Sequence, residues 1–557
     1  MMEASAVKVD HLTLFFDDIP EKPVLNDISF EVNEMENLLI LGPSGCGKST
    51  LTHCLNGLFP RELDGNMNGD IFINQKNATD YRNGEISQHL GVVFQDPETQ
   101  FCMFTVEDEI AFGLENKGVS PNEMEDKIDE VLGLVKMKEC KHRNITTLSG
   151  GQKQKLALAC ILAMEPEILV LDEPTANLDP VAAKEFIHTL QQLQQHKKFS
   201  LLVIEHQLDG WVSLIDRSIM INAKGEIFYD GELRHGINKH RDTLEQLGIW
   251  IPKATKLALE LEKKENHTFE NLPLTIHELA AQSIDFKPSL NKGNGKPNQH
   301  DLAIKANELL WSKKDTDIIN AKDIHLYSGQ FVMILGANGS GKSSLSKLLA
   351  GIEKPSKGSV QLYDKPLQGW RERELRTKIG YVFQNPEHQF ISDTVFDEVA
   401  FSLRLQGLTE REVINRVKAI LEQCQLTSFT DLHPYTLSQG QKRRLSVATM
   451  IVDNQSLLFL DEPTFGQDAS STNQLLNLLM ERHAQGTGIV MITHDMELVY
   501  QYAERVLVME NGQIALDTTP EQLWSLTREQ LKQWQLELPV QVKLQRLLQK
   551  DVGYVHS

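Results

Sequence analysis

Short runs of apolar residues recur along the chain, and each one ends at a polar or glycine-rich segment. The run NLLIL spans residues 37–41, and the run ILVLD spans residues 168–172. The runs LLVI at 201–204 and VMIT at 490–493 are each followed within two residues by a histidine. Apolar runs of this length between turn signals are typical of strands buried on both faces of a sheet. The pattern therefore predicts buried strands whose ends carry polar side chains.

Other segments mix leucine and alanine with polar residues and predict helices. KSTLTHCLNGL (48–58) follows a glycine-rich loop, and KQKLALACILA (153–163) follows the sequence LSGGQ. IPKATKLALEL (251–261) and LPVQVKLQRLL (538–548) predict helices further along the chain. Strands that alternate with helices indicate an α/β fold.

The chain carries this arrangement twice. Gln95 pairs with Gln384 and His206 pairs with His494, at separations of 289 and 288 residues. A period of this length indicates two copies of a whole domain rather than a solenoid repeat. The duplicated phrases are LGPSGCGKST (41–50) and LGANGSGKSS (335–344), FQDPETQF (94–101) and FQNPEHQF (383–390), LSGGQKQKLALA (148–159) and LSQGQKRRLSVA (437–448), and ILVLDEPTANLD (168–179) and LLFLDEPTFGQD (457–468).

The repeat also predicts the domain boundaries of this 557-residue chain, which is too long for one hydrophobic core. We predict a first domain over 1–230 with an appendage over 231–286, and a second domain over 302–520 with an appendage over 521–557. Residues 287–301, KPSLNKGNGKPNQHD, are rich in Pro, Gly and Asn and predict a flexible linker.

Composition narrows the class of protein. The net charge of −21 argues against nucleic acid as the main partner, because phosphate backbones are bound by Lys and Arg. No apolar run is long enough for a transmembrane helix, and the first residues do not resemble a signal peptide. The six cysteines contain no C-x-x-C pair, which predicts reduced thiols in the cytoplasm.

Each glycine-rich loop matches the G-x-x-x-x-G-K-[ST] pattern between a predicted strand and a predicted helix. Such a loop curls its backbone N–H groups around phosphate oxygens, while Lys48 or Lys342 reaches the β and γ phosphates. The helix N-terminus would lower the pKa of the Cys46 thiol, and a buried, inert thiol is the equally weighted alternative. The predicted loop residues are Gly42, Pro43, Ser44, Gly45, Cys46, Gly47, Lys48, Ser49 and Thr50 in the first copy, and Gly336, Ala337, Asn338, Gly339, Ser340, Gly341, Lys342, Ser343 and Ser344 in the second.

Polar residues at the strand ends supply the remaining chemistry. We predict that Asp172 holds Mg²⁺ and that Glu173 acts as the general base toward water, on opposite sides of one strand. Asp461 and Glu462 repeat this pair in the second copy. A histidine in matching positions of both copies predicts a sensor of the γ-phosphate, here His206 and His494.

The order of P-loop, glutamine loop, LSGGQ, LDE and strand-end histidine resembles that of ATP-binding cassette (ABC) ATPases, over nearly the whole chain. The resemblance implies two P-loop NTPase domains in tandem, each with a helical subdomain and a small C-terminal appendage. It implies that Gln95 and Gln384 touch Mg²⁺ and the attacking water. Ser49 and Ser343 are implied as further Mg²⁺ ligands, and Phe16 and Trp311 as aromatics under the adenine ring.

In that family two cassettes pack head to tail, so one chain would hold both halves of a dimer with two MgATP. Site one would be closed by Ser438, Gly440 and Gln441 of the second signature motif. Site two would be closed by Ser149, Gly150, Gly151 and Gln152 of the first. The second motif reads LSQGQ, with Gln439 in place of Gly150, so the two competent sites need not be equal.

The segments after Gln95 and Gln384 favour one class within the family. They and the Pro-x-x-x-Lys-Leu appendages resemble the ATPases of energy-coupling factor (ECF) transporters, which import vitamins or transition-metal ions. The fused form resembles tandem ATPases assigned to thiamine or its pyrimidine precursor. The resemblance implies a peripheral protein on the cytoplasmic face of the cell membrane, bound to a membrane scaffold subunit and a small substrate-binding membrane subunit.

We further expect Glu98 and Glu387 to contact arginines of the scaffold, one contact per cassette. Capping of a helix by these acids is the structural alternative. Other tandem cassette proteins fit less well: translation factors have basic linkers, chromosome ATPases have coiled coils, sugar importers often have a degenerate site, and exporters have fused membrane spans. A cytosolic ATP-driven switch without a membrane partner remains the alternative function.

Overall fold

The computed structural model describes seven parts of the chain, which divide into two compact units between Gln282 and Ser283. Of the predicted linker 287–301, only Asp301 lies within the described residues. The described residues are 5–17, 21–176, 178–265, 268–282, 286, 301–313 and 316–549.

The first unit alternates strands and helices as the sequence pattern predicts. Its elements in chain order are β1 (Ser5–Phe15), β2 (Leu25–Asn33), β3 (Asn37–Leu41), α1 (Lys48–Leu55), β4 (Asn66–Ile73), β5 (Lys76–Asn77), β6 (Leu90–Val93), α2 (Val106–Asn116), α3 (Pro121–Leu134), α4 (Gly150–Ala163), β7 (Ile168–Asp172), α5 (Pro180–His196), β8 (Ser200–Ile204), β9 (Arg217–Ile221), β10 (Ile227–Gly231), α6 (Leu233–Leu247), α7 (Lys253–Glu265) and α8 (Ile276–Ala281).

Two sheets organise the first unit. One has six strands in the order β10-β9-β3-β8-β7-β6, all parallel except the edge strand β10. The other is a four-stranded antiparallel sheet in the order β2-β1-β4-β5. Every residue of β7 and β8 is buried, as expected for central parallel strands covered on both faces. The predicted strand at 37–41 coincides with β3.

The parallel order explains how distant motifs meet. Strands β3, β6, β7 and β8 are all parallel, so their carboxyl ends lie along one edge of the sheet. That edge receives the glycine-rich loop after β3, Gln95 after β6, Glu173 after β7 and His206 after β8. Ligands of open α/β sheets bind at this edge.

A helical subdomain is inserted between β6 and β7. Helices α2 and α3 pack against α4, the helix that follows LSGG, and against each other. Their buried faces carry Ile110, Leu114, Val131 and Leu132 at helical spacing. The Thr105 hydroxyl accepts a hydrogen bond from the Asp108 N–H and so caps the start of α2.

The second unit repeats the first. Its elements are β11 (Leu302–Lys313), β12 (Thr316–Ala321), β13 (Ile324–Tyr327), β14 (Phe331–Leu335), α9 (Lys342–Leu349), β15 (Lys357–Leu362), β16 (Lys365–Pro366), α10 (Glu372–Arg376), β17 (Ile379–Val382), α11 (Val395–Leu405), α12 (Glu410–Gln423), α13 (Gln439–Ile451), β18 (Leu457–Asp461), α14 (Ala469–Ala484), β19 (Gly488–Ile492), α15 (Met496–Tyr502), β20 (Arg505–Glu510), β21 (Gln513–Thr518), α16 (Pro520–Trp524), α17 (Arg528–Gln533) and α18 (Val540–Leu548).

The second unit also has a six-stranded sheet, in the order β17-β18-β19-β14-β20-β21, with only the edge strand β21 antiparallel. In its antiparallel sheet, β12 and β13 both pair with β11. They take the place that the single strand β2 holds in the first unit. Helices α11, α12 and α13 form the second helical subdomain.

Each unit ends in three helices, which form the appended segments: α6, α7 and α8 in the first and α16, α17 and α18 in the second. The leucines of the two Pro-x-x-x-Lys-Leu patterns, Leu257 and Leu544, are buried. The pattern therefore has a packing role in both units.

One predicted helix is shorter than its pattern. The segment 48–58 forms a helix only as far as Leu55, because Gly57 adopts a left-handed conformation with φ of +78°. No helix among the described residues has the length and apolar character needed to cross a membrane.

Candidate functional site

The two glycine-rich loops have the same geometry. The Lys48 ammonium is buried and donates hydrogen bonds to the carbonyl oxygens of Gly42 and Pro43 at 2.8 and 3.0 Å. Lys342 donates in the same way to the carbonyl oxygens of Gly336 and Ala337, both at 2.8 Å. Each lysine thus lies across its own loop, at the start of the following helix.

A glycine is required directly before each of these lysines. Gly47 has φ of +95° and Gly341 has φ of +100°, a left-handed region that other residues rarely adopt. A Cβ atom on Gly47 would lie 2.7 Å from Cδ2 of Leu25 and 2.8 Å from the carbonyl oxygen of Val24. The glycine therefore allows α1 to start close to the antiparallel sheet, with its first N–H groups facing the loop.

Of the two alternatives for Cys46, the structure supports the buried, inert thiol over the activated one. Its side chain is buried, and burial raises the pKa of the thiol despite the nearby Lys48 charge. Desolvation of the thiolate outweighs the favourable potential at the helix start. Cys46 is therefore a packed residue of the first core rather than an activated thiol.

The strand-end aspartates are suited to a divalent cation. Burial raises the pKa of Asp172 to about 6, and a hydrogen bond from Ser49 opposes this effect. Burial raises the pKa of Asp461, again opposed by a serine hydroxyl, that of Ser343. Atom Oδ1 of each aspartate is buried without a hydrogen-bond partner among the described residues.

The set of ligands at this site differs from that of a preformed metal cage. The described residues contain no cluster of three or more His, Cys, Asp or Glu side chains arranged for a metal ion. An aspartate with one free oxygen beside a serine hydroxyl fits Mg²⁺ that takes its other ligands from phosphates and water. The aspartate and serine oxygens therefore fit a cation that binds together with the nucleotide.

The two acids after the strand do not simply face opposite sides of it. Strand β7 ends at Asp172, and Glu173 has left the strand in a left-handed conformation with φ of +48°. Glu462 has φ of +49° at the same point of the second unit. Strand alternation predicted that the two acids lie on opposite sides of one strand. That reasoning was wrong, because Glu173 lies outside the strand. A non-glycine residue held in this region carries strain that is often found at functional sites.

In the first unit Glu173 joins the glutamine loop to the histidine. Gln95 Nε2 donates to Glu173 Oε2 at 2.6 Å, and His206 Nε2 lies 2.9 Å from Glu173 Oε1. Burial disfavours the charge of Glu173, but the hydrogen bond and charge of His206, with Lys48 nearby, leave the pKa of Glu173 below its ordinary value. The structure thus places three predicted catalytic side chains in direct contact.

The second unit brings its glutamate and histidine together but with different electrostatics. His494 Nε2 lies 3.1 Å from Glu462 Oε1. Burial raises the pKa of Glu462 above its ordinary value and lowers that of His494. Gln384 is exposed at the corresponding point of its loop. The two catalytic pairs therefore have similar N–O distances, while the pKa of the glutamate is lowered in the first unit and raised in the second.

The signature motifs begin α4 and α13. The Ser149 hydroxyl accepts from the Gln152 N–H at 3.3 Å, and the Gln152 side chain accepts from the Ser149 N–H at 3.0 Å. Ser438 and Gln441 form the same reciprocal capping box. Gly150, Gly151, Gln439 and Gly440 occupy the first turns of these helices. The serines and glutamines thus have a local structural role, and their predicted contact with nucleotide stays a prediction.

The two aromatics predicted to stack under adenine lie at corresponding points of the antiparallel sheets. Phe16 directly follows β1 and has its ring centroid 5.9 Å from that of Phe59. Trp311 is part of β11, opposite Ile319 of β12. Both are partly buried against the cores of their units. Their role toward adenine stays a prediction.

The segment after each glutamine loop is organised by its own hydrogen bonds. Pro97 and Pro386 begin 3-10 turns, which are capped by the side chains of Asp96 and Asn385. The predicted partner-coupling acids are instead paired with the signature helices: Glu98 with Lys153 at 2.5 Å and Glu387 with Lys442 at 2.6 Å. Each pair connects this segment to the residue directly after its signature motif.

Other repeated residues of this segment prove to be structural. Glu109 is buried and accepts from the backbone N–H groups of Cys102 and Met103, at 2.9 and 2.7 Å. Glu398 accepts from Ile391 and Ser392 in the second unit. These carboxylates hold the loop before α2 and α11.

Sequence reasoning missed two residues next to the catalytic pairs. Glu205, buried directly before His206, bonds to Thr175 after the first Glu-Pro. Arg443 of α13 donates to the carbonyl oxygens of Phe383 and Gln384. In the repeat alignment Glu205 corresponds to Thr493, and Arg443 to Gln154. The signal that could have found them is that each differs in charge between two otherwise matching copies.

Comparisons with known proteins show the family of the chain. The family model for ABC transporters matches residues 25–176 and 319–465. The chain is 45% identical over 536 residues to the "Putative HMP/thiamine import ATP-binding protein YkoD" of Bacillus subtilis, covering 96% of this chain and 95% of the relative. It is 36% identical to the "Putative ABC transporter ATP-binding protein" of Methanosarcina mazei, covering 95% of this chain and 91% of the relative.

Among solved structures, cbiO1 from Clostridium perfringens, part of the ABC transporter complex cbiONQ, is 33% identical with a TM-score of 0.38 and covers 44% of this chain and 99% of that one. The family model and the first relative together identify the two units as ABC cassettes. The chain therefore belongs to the ABC transporter family, as an ATP-binding and ATP-hydrolysing protein with two cassettes in tandem.

Proposed function

We propose that this chain is the energy-coupling ATPase of an ECF-type importer, which drives uptake of a vitamin, vitamin precursor or metal ion through separate membrane subunits. The observation that carries the proposal is the 45% identity, over 96% of the chain, to a relative whose name assigns it to HMP/thiamine import. Among the candidate substrates, that relative favours thiamine or its pyrimidine precursor.

In the proposed reaction each cassette binds one MgATP. The Mg²⁺ would neutralise phosphate charge between Ser49 and Asp172, or between Ser343 and Asp461. Lys48 and Lys342 would turn from their own loop carbonyls to the β and γ phosphates. These residues bind and orient the nucleotide before any bond is broken.

Glu173 and Glu462 are the proposed general bases, each accepting a proton from the attacking water. Gln95 donates to Glu173 in the first cassette and would orient that water. His206 and His494, each in contact with its glutamate, would donate a hydrogen bond to the γ-phosphate. The pairing of each P-loop with the signature motif of the other cassette stays a prediction.

An exposed apolar surface supports a protein partner. Residues Phe104 and Ile391 are 80% and 67% exposed in the loops before α2 and α11. Phe112 and Phe401, which correspond to each other in the repeat, are also exposed on these helices. Both cassettes thus present apolar side chains beside the segment that follows the glutamine loop, which is typical of a protein interface. We propose that the membrane scaffold binds here, which would place the chain at the cytoplasmic face of the membrane.

The contacts of Glu98 and Glu387 with scaffold arginines stay part of this proposal. The Glu98 side chain is 64% exposed although it pairs with Lys153, and Glu387 is 32% exposed beside Lys442. Each carboxylate has a second oxygen with which to accept from a partner. An incoming guanidinium would compete with the lysine of the signature helix.

Copurification with a multi-span membrane protein, sought first among any that are encoded beside this gene, tests the proposal. We expect the wild-type chain to copurify with a multi-span scaffold. The double variant Phe112→Ser with Phe401→Ser should no longer copurify with the scaffold but should still bind ATP. Met35→Ser with Tyr363→Ser removes exposed apolar side chains from turns elsewhere and should keep the complex. If the wild-type chain shows no such complex and hydrolyses ATP at its full rate alone, the alternative of a cytosolic ATP-driven switch is favoured.

A further inference from the structure

Glu205 forms a bridge between two loops of the first cassette. Its side chain directly follows β8, is only 3% exposed, and accepts four hydrogen bonds. Oε1 accepts from the Thr175 N–H at 3.0 Å and from the Thr175 hydroxyl at 2.5 Å. Oε2 accepts from the N–H groups of His206 and Gln207, at 3.0 and 3.4 Å. One carboxylate thus joins the turn after Glu173 to the loop that carries His206.

These contacts close a ring around the catalytic pair. Glu173 is connected through Pro174 to Thr175, and Thr175 bonds to Glu205. Glu205 is bonded to His206 along the chain, and His206 Nε2 returns to Glu173 Oε1 at 2.9 Å. A closed ring leaves the imidazole little freedom to move away from the carboxylate, whose backbone is itself held at a φ of +48°.

Joining two loops through a buried carboxylate has a cost in desolvation free energy. Burial raises the pKa of Glu205 to about 7, and the hydrogen bonds from Thr175 offset part of that effect. A purely apolar contact would hold two loops together without this cost. The bridge is therefore better suited to orienting the two loops than to stabilising the fold.

The second cassette provides a natural comparison. Thr493 stands at the corresponding position, 1% exposed, and its hydroxyl accepts from the Asp495 N–H at 3.0 Å. A threonine has a single side-chain oxygen on a shorter side chain, so it cannot accept from both loops as the two carboxylate oxygens do. The described residues of the second cassette thus show no counterpart of the Glu205 bridge at this position.

We infer that Glu205 is a positioning residue of the first ATP site, which holds His206 in register with Glu173 and makes the two cassettes catalytically unequal. This inference rests on the roles proposed for Glu173 and His206. The difference in catalysis between the two cassettes would then arise from a residue outside the ATP motifs. Because Glu205 acts through His206, its loss should affect turnover and leave nucleotide binding unchanged.

The test uses the full chain with the second site silenced by Glu462→Gln, so that ATP turnover reports the first site. Glu205→Thr copies the second cassette and should lower kcat about tenfold, with the KM for MgATP changed less than about twofold, as expected when a reacting group is misplaced but retained. Glu205→Gln keeps the volume but places an amide N–H group against donors, and it should lie between wild type and Glu205→Thr. Thr493→Ser is the matched control and should leave turnover unchanged.

A double-mutant cycle separates positioning from general stabilisation. In the His206→Ala background, Glu205→Thr should cause no further loss of kcat, because the group it positions is already absent. If the two substitutions instead lower kcat by the product of their single effects, Glu205 acts independently of His206 and the inference is overturned. If His206→Ala lowers turnover but Glu205→Thr and Glu205→Gln do not, only the inference falls. If His206→Ala has no effect, the proposed role of the histidine falls with it.

Discussion

His206 Nε2 lies 2.9 Å from Glu173 Oε1, and the second cassette repeats the contact between His494 and Glu462 at 3.1 Å. The two residues of each pair come from the ends of neighbouring parallel strands, β7 and β8 or β18 and β19. Each glutamate has a left-handed backbone conformation, with φ of +48° at Glu173 and +49° at Glu462. This contact places a carboxylate and an imidazole together where the glycine-rich loop also ends.

Removing both carboxylates should stop hydrolysis without preventing binding. We expect Glu173→Gln with Glu462→Gln to lower kcat by about 10² or more, because the general base is lost while Lys48, Lys342 and the loops remain. ATP turnover and equilibrium binding of a fluorescent ATP analogue measure the two effects separately. Turnover at the wild-type rate in the double variant would show that these glutamates are not the bases.

Charge reversal after the glutamine loops should prevent assembly with the scaffold. Glu98→Arg with Glu387→Arg removes the proposed contacts with scaffold arginines, and we expect copurification to be lost while the isolated chain still binds ATP. The same change also breaks the ion pairs with Lys153 and Lys442.

A compensated variant separates these two effects. Adding Lys153→Glu and Lys442→Glu restores opposite charges within each cassette but leaves arginine in the outer position. Our proposal predicts that the compensated chain still fails to copurify. Recovery of the complex would instead assign these acids to the internal ion pairs alone.

Thiol labelling should distinguish two cysteines of the first cassette. Cys102 is exposed, whereas Cys46 is 2% exposed and burial raises the pKa of its thiol. Because only the thiolate reacts, we expect N-ethylmaleimide at neutral pH to modify Cys102 and leave Cys46 unmodified, with or without MgATP. Peptide mass spectrometry measures the fraction of each cysteine that is modified. Rapid labelling of Cys46 that ATP prevents would restore the view of an activated thiol in the loop.

The buried Glu109 should stabilise the loop that precedes α2. Both amides of Cys102 and Met103 donate to Oε2 of Glu109, so Glu109→Leu removes their acceptor and should destabilise the loop by about 2 kcal/mol. Hydrogen exchange at these two amides should become correspondingly faster. The exposed Glu115 on the same helix is the control, and Glu115→Leu should leave their protection unchanged. Equal protection in both variants would mean that the carboxylate does not hold the loop.

Much of this site can be predicted from the sequence because the motifs are local. The strand at 37–41, the loop after it and the helix start at Lys48 follow from one short phrase with a known physical requirement. The parallel order of the strands then brings Gln95, Glu173 and His206 together, which the positions of these residues after apolar runs already suggested.

The remaining features depend on neighbours that are distant in sequence. The bond between Glu205 and Thr175 joins residues on two different strand ends, and no local pattern indicates it. The pKa of Cys46 depends on how tightly the loop packs against the core, which outweighs the helix terminus. The pairing of Glu98 with Lys153 likewise required the fold.

Uptake is the most direct test of the central claim, that ATP hydrolysis by both cassettes drives import. Bacterial cells that produce the membrane subunits found to copurify would be supplied with the wild-type chain or with Glu173→Gln and Glu462→Gln combined. Accumulation of radiolabelled thiamine and its pyrimidine precursor would then be measured. We predict accumulation of at least one of them with the wild-type chain and none above the empty control with the double variant. Equal accumulation with both chains would contradict the claim that hydrolysis drives import, and accumulation with neither would contradict the assignment to thiamine or its precursor.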